Sequence, residues 1–210
     1  MSRLLDRISL GVTLGTAALT AVLFPRLPAR VPIHFDVHGI ADGFAPRAIG
    51  AWLMPAATLL TWATVRYGRW LVPRGERERL DKSPTSVVGL VVVALFSALQ
   101  LLMLRAGMQP GGRLVGLVVL LSVAWIALGL VMPRVRRNPF IGVRVPWTLA
   151  SDENWAQTHR FAGLTFVGSA LLALALEVLF GTAPAVVVLV LGALAPVVYS
   201  WRLAVHARGS

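Results

Sequence analysis

Six stretches of this chain, residues 8–24, 48–65, 85–104, 114–132, 161–180 and 182–201, are each 17 to 20 residues long and hold one charged side chain between them, Glu177. About 20 predominantly apolar residues in a helix span the hydrocarbon core of a bilayer. Core helices of soluble proteins rarely run so long without a charge, and six in succession make lipid the solvent for which this chain is built. Composition agrees: 57% of the residues are hydrophobic and 14% charged, against about 25% charged in soluble chains. With no Cys, disulfide scaffolds, thiol nucleophiles and Cys-ligated zinc sites are excluded.

The fold expected is all-α and integral to the membrane, a six-helix bundle. It divides into an N-terminal two-helix unit, 1–72, and a four-helix unit, 83–208, packed as one bundle. Residues 1–7 are basic and precede an apolar run, but that run is long for a signal peptide and Pro25-Arg26-Leu27-Pro28 is a poor cleavage site, so the first helix is expected to be retained. Pro55 and Pro196 fall inside spans and are expected to kink them.

Positive charge sets the orientation. Lys and Arg number 15 in the N-terminus, the 66–84 and 133–160 loops and the C-terminus, and 5 in the alternate loops. Cytoplasmic segments carry the excess, so both termini are expected inside and loop 25–47 outside. The same placement accounts for the net charge of +11: the basic residues flank spans, where anionic lipid attracts them. No nucleic-acid-binding module accompanies them, and direct nucleic-acid binding is not expected.

Two loops carry chemistry. In the outer loop Ile33, Phe35 and Val37 alternate with His34, Asp36 and His38, a period of two that in a strand puts imidazoles and carboxylate on one face. Such a face suits Zn²⁺. The alternative is structural, with His34 and Asp42 holding the loop by hydrogen bonds. No cofactor is expected; zinc on that face is the one alternative left open.

In the 133–160 loop, Asn138-Pro139 marks a turn, Gly142 a left-handed or closely approached backbone, and Pro146 an extended residue before it. Ser151 followed by Asp152 and Glu153 is a helix start, with a hydroxyl cap and two acids at the positive helix end. Continued into the fifth span, that helix puts Trp155, His159 and Gly163 on one face and Asn154 and Thr158 on the next. Two readings compete. In one, Trp147 and Trp155 lie among lipid headgroups with Arg144 and Arg160 near phosphate; in the other, the same groups form a cytoplasmic pocket for a partner or substrate.

These loops resemble the SdpI-like bacterial membrane proteins, a family named for an immunity protein against a secreted peptide toxin. Pro32-Ile33-His34-Phe35-Asp36, then Gly39 and Asp42-Gly43, is similar to the short N-terminal domain of unknown function found in many members. The run from Asn138 through Gly142, Arg144, Pro146, Trp147 and Thr148, followed by Trp155, Thr158-His159-Arg160 and Gly163, looks like the family signature. The resemblance implies a multi-pass protein of the bacterial inner membrane that protects against a membrane-active peptide and relays its presence to a cytoplasmic regulator. His34, Asp36 and Asp42 would shape the outer site. Asn138, Arg144, Trp147, Thr148, Trp155, Thr158, His159 and Arg160 would form the inner one, with Pro32, Gly39, Gly43, Gly142, Pro146 and Gly163 as structural positions.

A small transporter or ion-linked carrier is the second reading, resting on Glu177, since ionisable groups within spans are costly and frequently functional. An enzyme is not expected: there is neither a GxSxG elbow nor HExxH.

Overall fold

The computed structural model describes residues 3–109 and 114–209. Its order is α1 (Arg3–Leu23), a hairpin of β1 (Arg30–Phe35) and β2 (Ala41–Pro46), α2 (Arg47–Tyr67), α3 (Arg74–Asp81), α4 (Thr85–Met108), α5 (Leu117–Val131), α6 (Pro146–Ala150), α7 (Asp152–Phe180) and α8 (Thr182–Gly209). Among the described residues six helices are long and apolar enough to cross a membrane: α1, α2, α4, α5, α7 and α8, three of the spans differing by a few residues from the helix bounds given above. They correspond one for one to the six apolar runs. Pro55 and Pro196 both lie inside continuous helices.

Lipid inverts the usual burial pattern. Leu60, Leu164 and Val178 are 69%, 74% and 85% exposed, which in water would be a liability and in lipid is the solvated face. Facing inward on α1 are Ser9, Thr13, Thr16 and Thr20, all buried. The three threonines donate their hydroxyls to the carbonyls four residues back, which satisfies the polar group locally and leaves a small side chain for close helix approach.

The helices pack in two groups. α1, α2 and α4 contact one another; α7 packs along α8 and against α5; α4 and α5 adjoin across the middle. A cluster of Val118, Ala170, Ala173, Ala185 and Leu189 fills the space between α5, α7 and α8. α5 and α7 approach closely where two glycines meet: a Cβ on Gly163 would lie 2.9 Å from the Gly129 carbonyl oxygen, and one on Gly129 2.9 Å from that of Gly163.

The outer-loop reading needs correction. β1 ends at Phe35, and Asp36 enters a turn instead of continuing the strand. Its Oδ1 accepts the backbone N–H groups of His38 (2.8 Å) and Ile40 (2.9 Å), an Asx turn that competes successfully with strand pairing. His34, Asp36 and His38 therefore do not share a pleated face. Among the described residues no three His, Cys, Asp or Glu side chains come together as a metal site. His34 instead pairs across the hairpin, with Nδ1 2.6 Å from Asp42 Oδ1, and both side chains are solvent-facing.

Candidate functional site

The 134–160 segment is a loop whose polar side chains fold back on its own backbone. Asn138, 2% exposed, anchors the first turn: Oδ1 accepts from the N–H groups of Phe140 (2.8 Å) and Ile141 (2.9 Å), while Nδ2 donates to the carbonyls of Arg136 (2.7 Å) and Ile141 (3.2 Å). Two acceptor and two donor positions are thus used, the full capacity of an amide. Gly142 follows at φ +114°, a backbone state L side chains rarely take, and it brings the loop down on α7.

There the backbone meets His159, which is fully buried. Val143 N–H donates to His159 Nε2 (3.1 Å), and His159 Nδ1 donates to the Trp155 carbonyl (2.8 Å). A backbone N–H on one nitrogen and a carbonyl on the other fix the neutral Nδ1–H tautomer. The ring stacks on Trp155, with centroids 4.1 Å apart and planes at 17°, and Trp155 Nε1 donates to the Val135 carbonyl (2.8 Å). Trp155 is 2% exposed, so it belongs to the core of this end of the bundle and not to a headgroup belt. Met132, Val135 and Ala162 complete its apolar surroundings.

Pro146 opens α6 with Val145 extended before it, as its ring requires. Thr148 is fully buried; Oγ1 lies 2.7 Å from the Val143 carbonyl and 3.0 Å from that of Val145, and accepts from Val145 N–H (3.1 Å). Ser151 then caps α7 by accepting from Asn154 N–H (3.2 Å), with Asp152 and Glu153 in the first turn. The last turns of α8 close the side: Trp147 Nε1 donates to Ser200 Oγ (2.8 Å), Asn154 Nδ2 to the Ser200 carbonyl (2.9 Å), and Thr158 Oγ1 to Asn154 Oδ1 (3.0 Å).

Of the eight signature side chains, Asn138, Thr148, Trp155, Thr158 and His159 are buried and committed to this framework, and Trp147 is half-buried. Arg144 and Arg160 alone among them are exposed. Beside Trp147 a shallow groove of about 550 Å³, lined also by Ser151, Glu153, Asn154, Gln157 and Leu203, separates the start of α7 from α8.

Sequence reasoning missed several partners. Ser200 gives no local signal of its role, since it lies 53 residues from Trp147. Asp152 collects Arg137 Nε (2.6 Å) and both terminal nitrogens of Arg79 (3.3 Å each), which ties α3 to the loop. Ser83 accepts from Arg136 N–H (3.0 Å). These contacts put the end of α2 and the starts of α1, α4 and α7 on one side of the bundle, where Arg66 Nε also meets Asp6 Oδ2 at 3.4 Å.

The hairpin lies at the opposite end. Val31 packs with Leu27, Ala51 and Leu104 beneath it, and Gly39 O accepts from Leu114 N–H (2.8 Å) just before α5. Gly43 adjoins His34, whose Cβ is 2.7 Å from where a Cβ on Gly43 would be, and Pro32 is buried beside Gly107. Glu177 is in the last turn of α7, where Oε1 accepts from Thr182 Oγ1 (3.1 Å) and the backbone carbonyl accepts from Gly181 N–H; both bonds close the turn into α8.

Residues 134–200 match the model of the SdpI/YfhL protein family, and residues 11–59 match that of a domain of unknown function, DUF1648. No curated protein and no solved structure matches the chain. The match over 134–200 begins at the loop and ends at Ser200, its partner on α8, so the chain, with six helices long and apolar enough to cross a membrane, is similar to the SdpI/YfhL family over this segment and to DUF1648 near its N-terminus.

Proposed function

We propose that this protein is a non-enzymatic immunity and signalling protein of the bacterial inner membrane, protecting against a membrane-active peptide and relaying its presence to a cytoplasmic regulator. The hairpin faces outward and meets the peptide. The 134–160 loop faces inward and presents Arg144 and Arg160. The excess of Lys and Arg at the loop end supports that orientation, and similarity to the SdpI/YfhL family over residues 134–200 supports the immunity role.

The observation that carries the relay is the course of α5. Leu114, three residues before the helix begins, is hydrogen-bonded to Gly39 of the hairpin, the far end of α5 contacts α7 at Gly129 and Gly163, and the chain then runs through Val135, which holds Trp155. One helix and its short lead-in thus run from the hairpin to the loop. A peptide that binds the hairpin shifts the loop only if it favours one placement of α5 over another, since equal affinity for both transmits nothing. The neutral, backbone-bonded state of His159 supports a binding role over catalysis, because neither ring nitrogen is free to exchange a proton with a substrate.

The experiment is survival of a toxin-sensitive bacterium expressing this protein during challenge with a peptide toxin of the SdpI type, with membrane abundance measured alongside. Protection by the wild type, lost in His34→Ala or Arg144→Ala at equal abundance, is the expected result. Absence of protection from inserted protein counts against the immunity reading.

A further inference from the structure

We propose that the α1–α2–α4 group binds one water molecule in its interior, at a site made by Asp6, Trp62 and Ser86. Each helix contributes one polar atom: Asp6 Oδ1 from α1, Trp62 Nε1 from α2 and Ser86 Oγ from α4. All three are buried and none has a protein hydrogen-bond partner. They line the same cavity of about 10 Å³, closed by Ser9, Val65, Gly89 and Val93. That volume is about one water-sized sphere.

The donor set selects the occupant. An indole N–H only donates and a carboxylate oxygen only accepts, while a hydroxyl does either. A cation would face the positive edge of the indole N–H, and an anion would face Asp6. A water accepts from Trp62 Nε1 and donates to Asp6 Oδ1 and Ser86 Oγ, three bonds, the usual number for a buried water. Leaving these groups bare within a bundle surrounded by lipid costs several kcal/mol per group. The water is a clasp between three helices at the end where Arg66 holds the other Asp6 oxygen.

Two other places show what distinguishes the site. Gln100 Oε1 is also buried without a protein partner and also lines a cavity of about 10 Å³, but the other side chains there, Leu27, Val31, Pro32, Met103 and Leu104 among them, are apolar, and one polar side-chain atom does not hold a water. Trp125 Nε1 is buried without a protein partner in contact with the apolar α5–α7–α8 cluster. Trp125 is therefore the internal control.

The test uses the full chain in lipid bilayers with ¹⁵N-labelled tryptophan and measures magnetisation transfer from water to each indole N–H by solid-state NMR, with Trp62 assigned through Trp62→Phe. Transfer to Trp62 but not to Trp125 is expected. Ser86→Val, which fills the cavity, is expected to abolish transfer to Trp62 while the Trp155 indole, bonded to Val135, keeps its shift; Ser86→Ala weakens transfer without filling the space. Absence of transfer to Trp62 in the wild type overturns the proposal, and so does transfer that survives Ser86→Val unchanged.

Discussion

Gly142 lies so close over His159 that a β-carbon on it would be 2.1 Å from Nε2 of the imidazole and 3.1 Å from Cζ2 of Trp155. The adjoining Val143 N–H is the group that His159 accepts, so the close approach and the hydrogen bond are one arrangement. Gly142→Ala has to adopt φ +114° and displace the ring as well. The expected loss is about 1–3 kcal/mol, in line with strained positions that break a buried contact, read as a lower thermal midpoint in detergent. Gly11→Ala is the control: it lies in α1 with nothing within 4 Å of the added carbon, and is expected to be neutral or stabilising by about 0.5–1 kcal/mol.

Asn138 makes four hydrogen bonds while 2% exposed. Asn138→Ala strands two backbone N–H groups and two carbonyls, with an expected cost of about 1–3 kcal/mol. Asn138→Asp keeps the acceptor for Phe140 and Ile141 but sets a carboxylate oxygen against the carbonyls of Arg136 and Ile141. Hydrogen exchange separates the two: the Phe140 and Ile141 amides lose protection in the alanine variant and retain more of it in the aspartate variant.

Close approach of α5 and α7 depends on Gly129 and Gly163. In Gly163→Leu the new side chain meets the Gly129 carbonyl oxygen at 2.9 Å and Pro133 Cγ at 3.0 Å from its Cβ alone. Backbone oxygen cannot step aside as a flexible side chain would, so the helices separate. The expected result is a protein that inserts at normal abundance, unfolds more readily and fails to protect against toxin.

Orientation is open to direct labelling because the chain has no Cys. His38 and Arg144 are exposed at opposite ends. A membrane-impermeant thiol reagent added to intact cells is expected to label His38→Cys, and to label Arg144→Cys only after the membrane is opened. The reverse pattern would invert the topology.

The six spans were legible because lipid imposes one strong rule, long apolar helices, and α7's start was legible because Ser151, Asp152 and Glu153 satisfy a helix end locally. The extended Val145 and left-handed Gly142 were legible for the same reason: ring and hydrogen-atom sterics act within one or two residues. The strand reading of His34, Asp36 and His38 failed because alternation says nothing about where a strand stops. Asp36 followed two residues later by a backbone N–H it can capture, just before Gly39, was the local signal for a turn. Roles that depend on distant partners were not legible at all. Trp155 reads as interfacial beside Trp147, Arg144 and Arg160, and only the Val135 carbonyl and the stacked His159 reveal it as core.

Glu177 shows the same limit from the other direction. As a charge within an apolar run it invites a transport role, yet its bond to Thr182 and the Gly181 N–H closing on its carbonyl give it a place in the α7–α8 turn. Glu177→Gln keeps an acceptor for Thr182 and is expected to leave abundance and protection unchanged, measured in the survival assay.

The central claim is that an event at the hairpin changes the 134–160 loop through α5. It is tested most directly by the labelling rate of Ala150→Cys, an exposed position of the same segment, in opened vesicles from cells the protein protects, with and without the peptide toxin. A toxin-dependent change in rate, abolished by Gly39→Val, which at φ +73° crowds the Leu114 carbonyl, is the expected result. An unchanged rate at a toxin concentration from which the same variant still protects would contradict it.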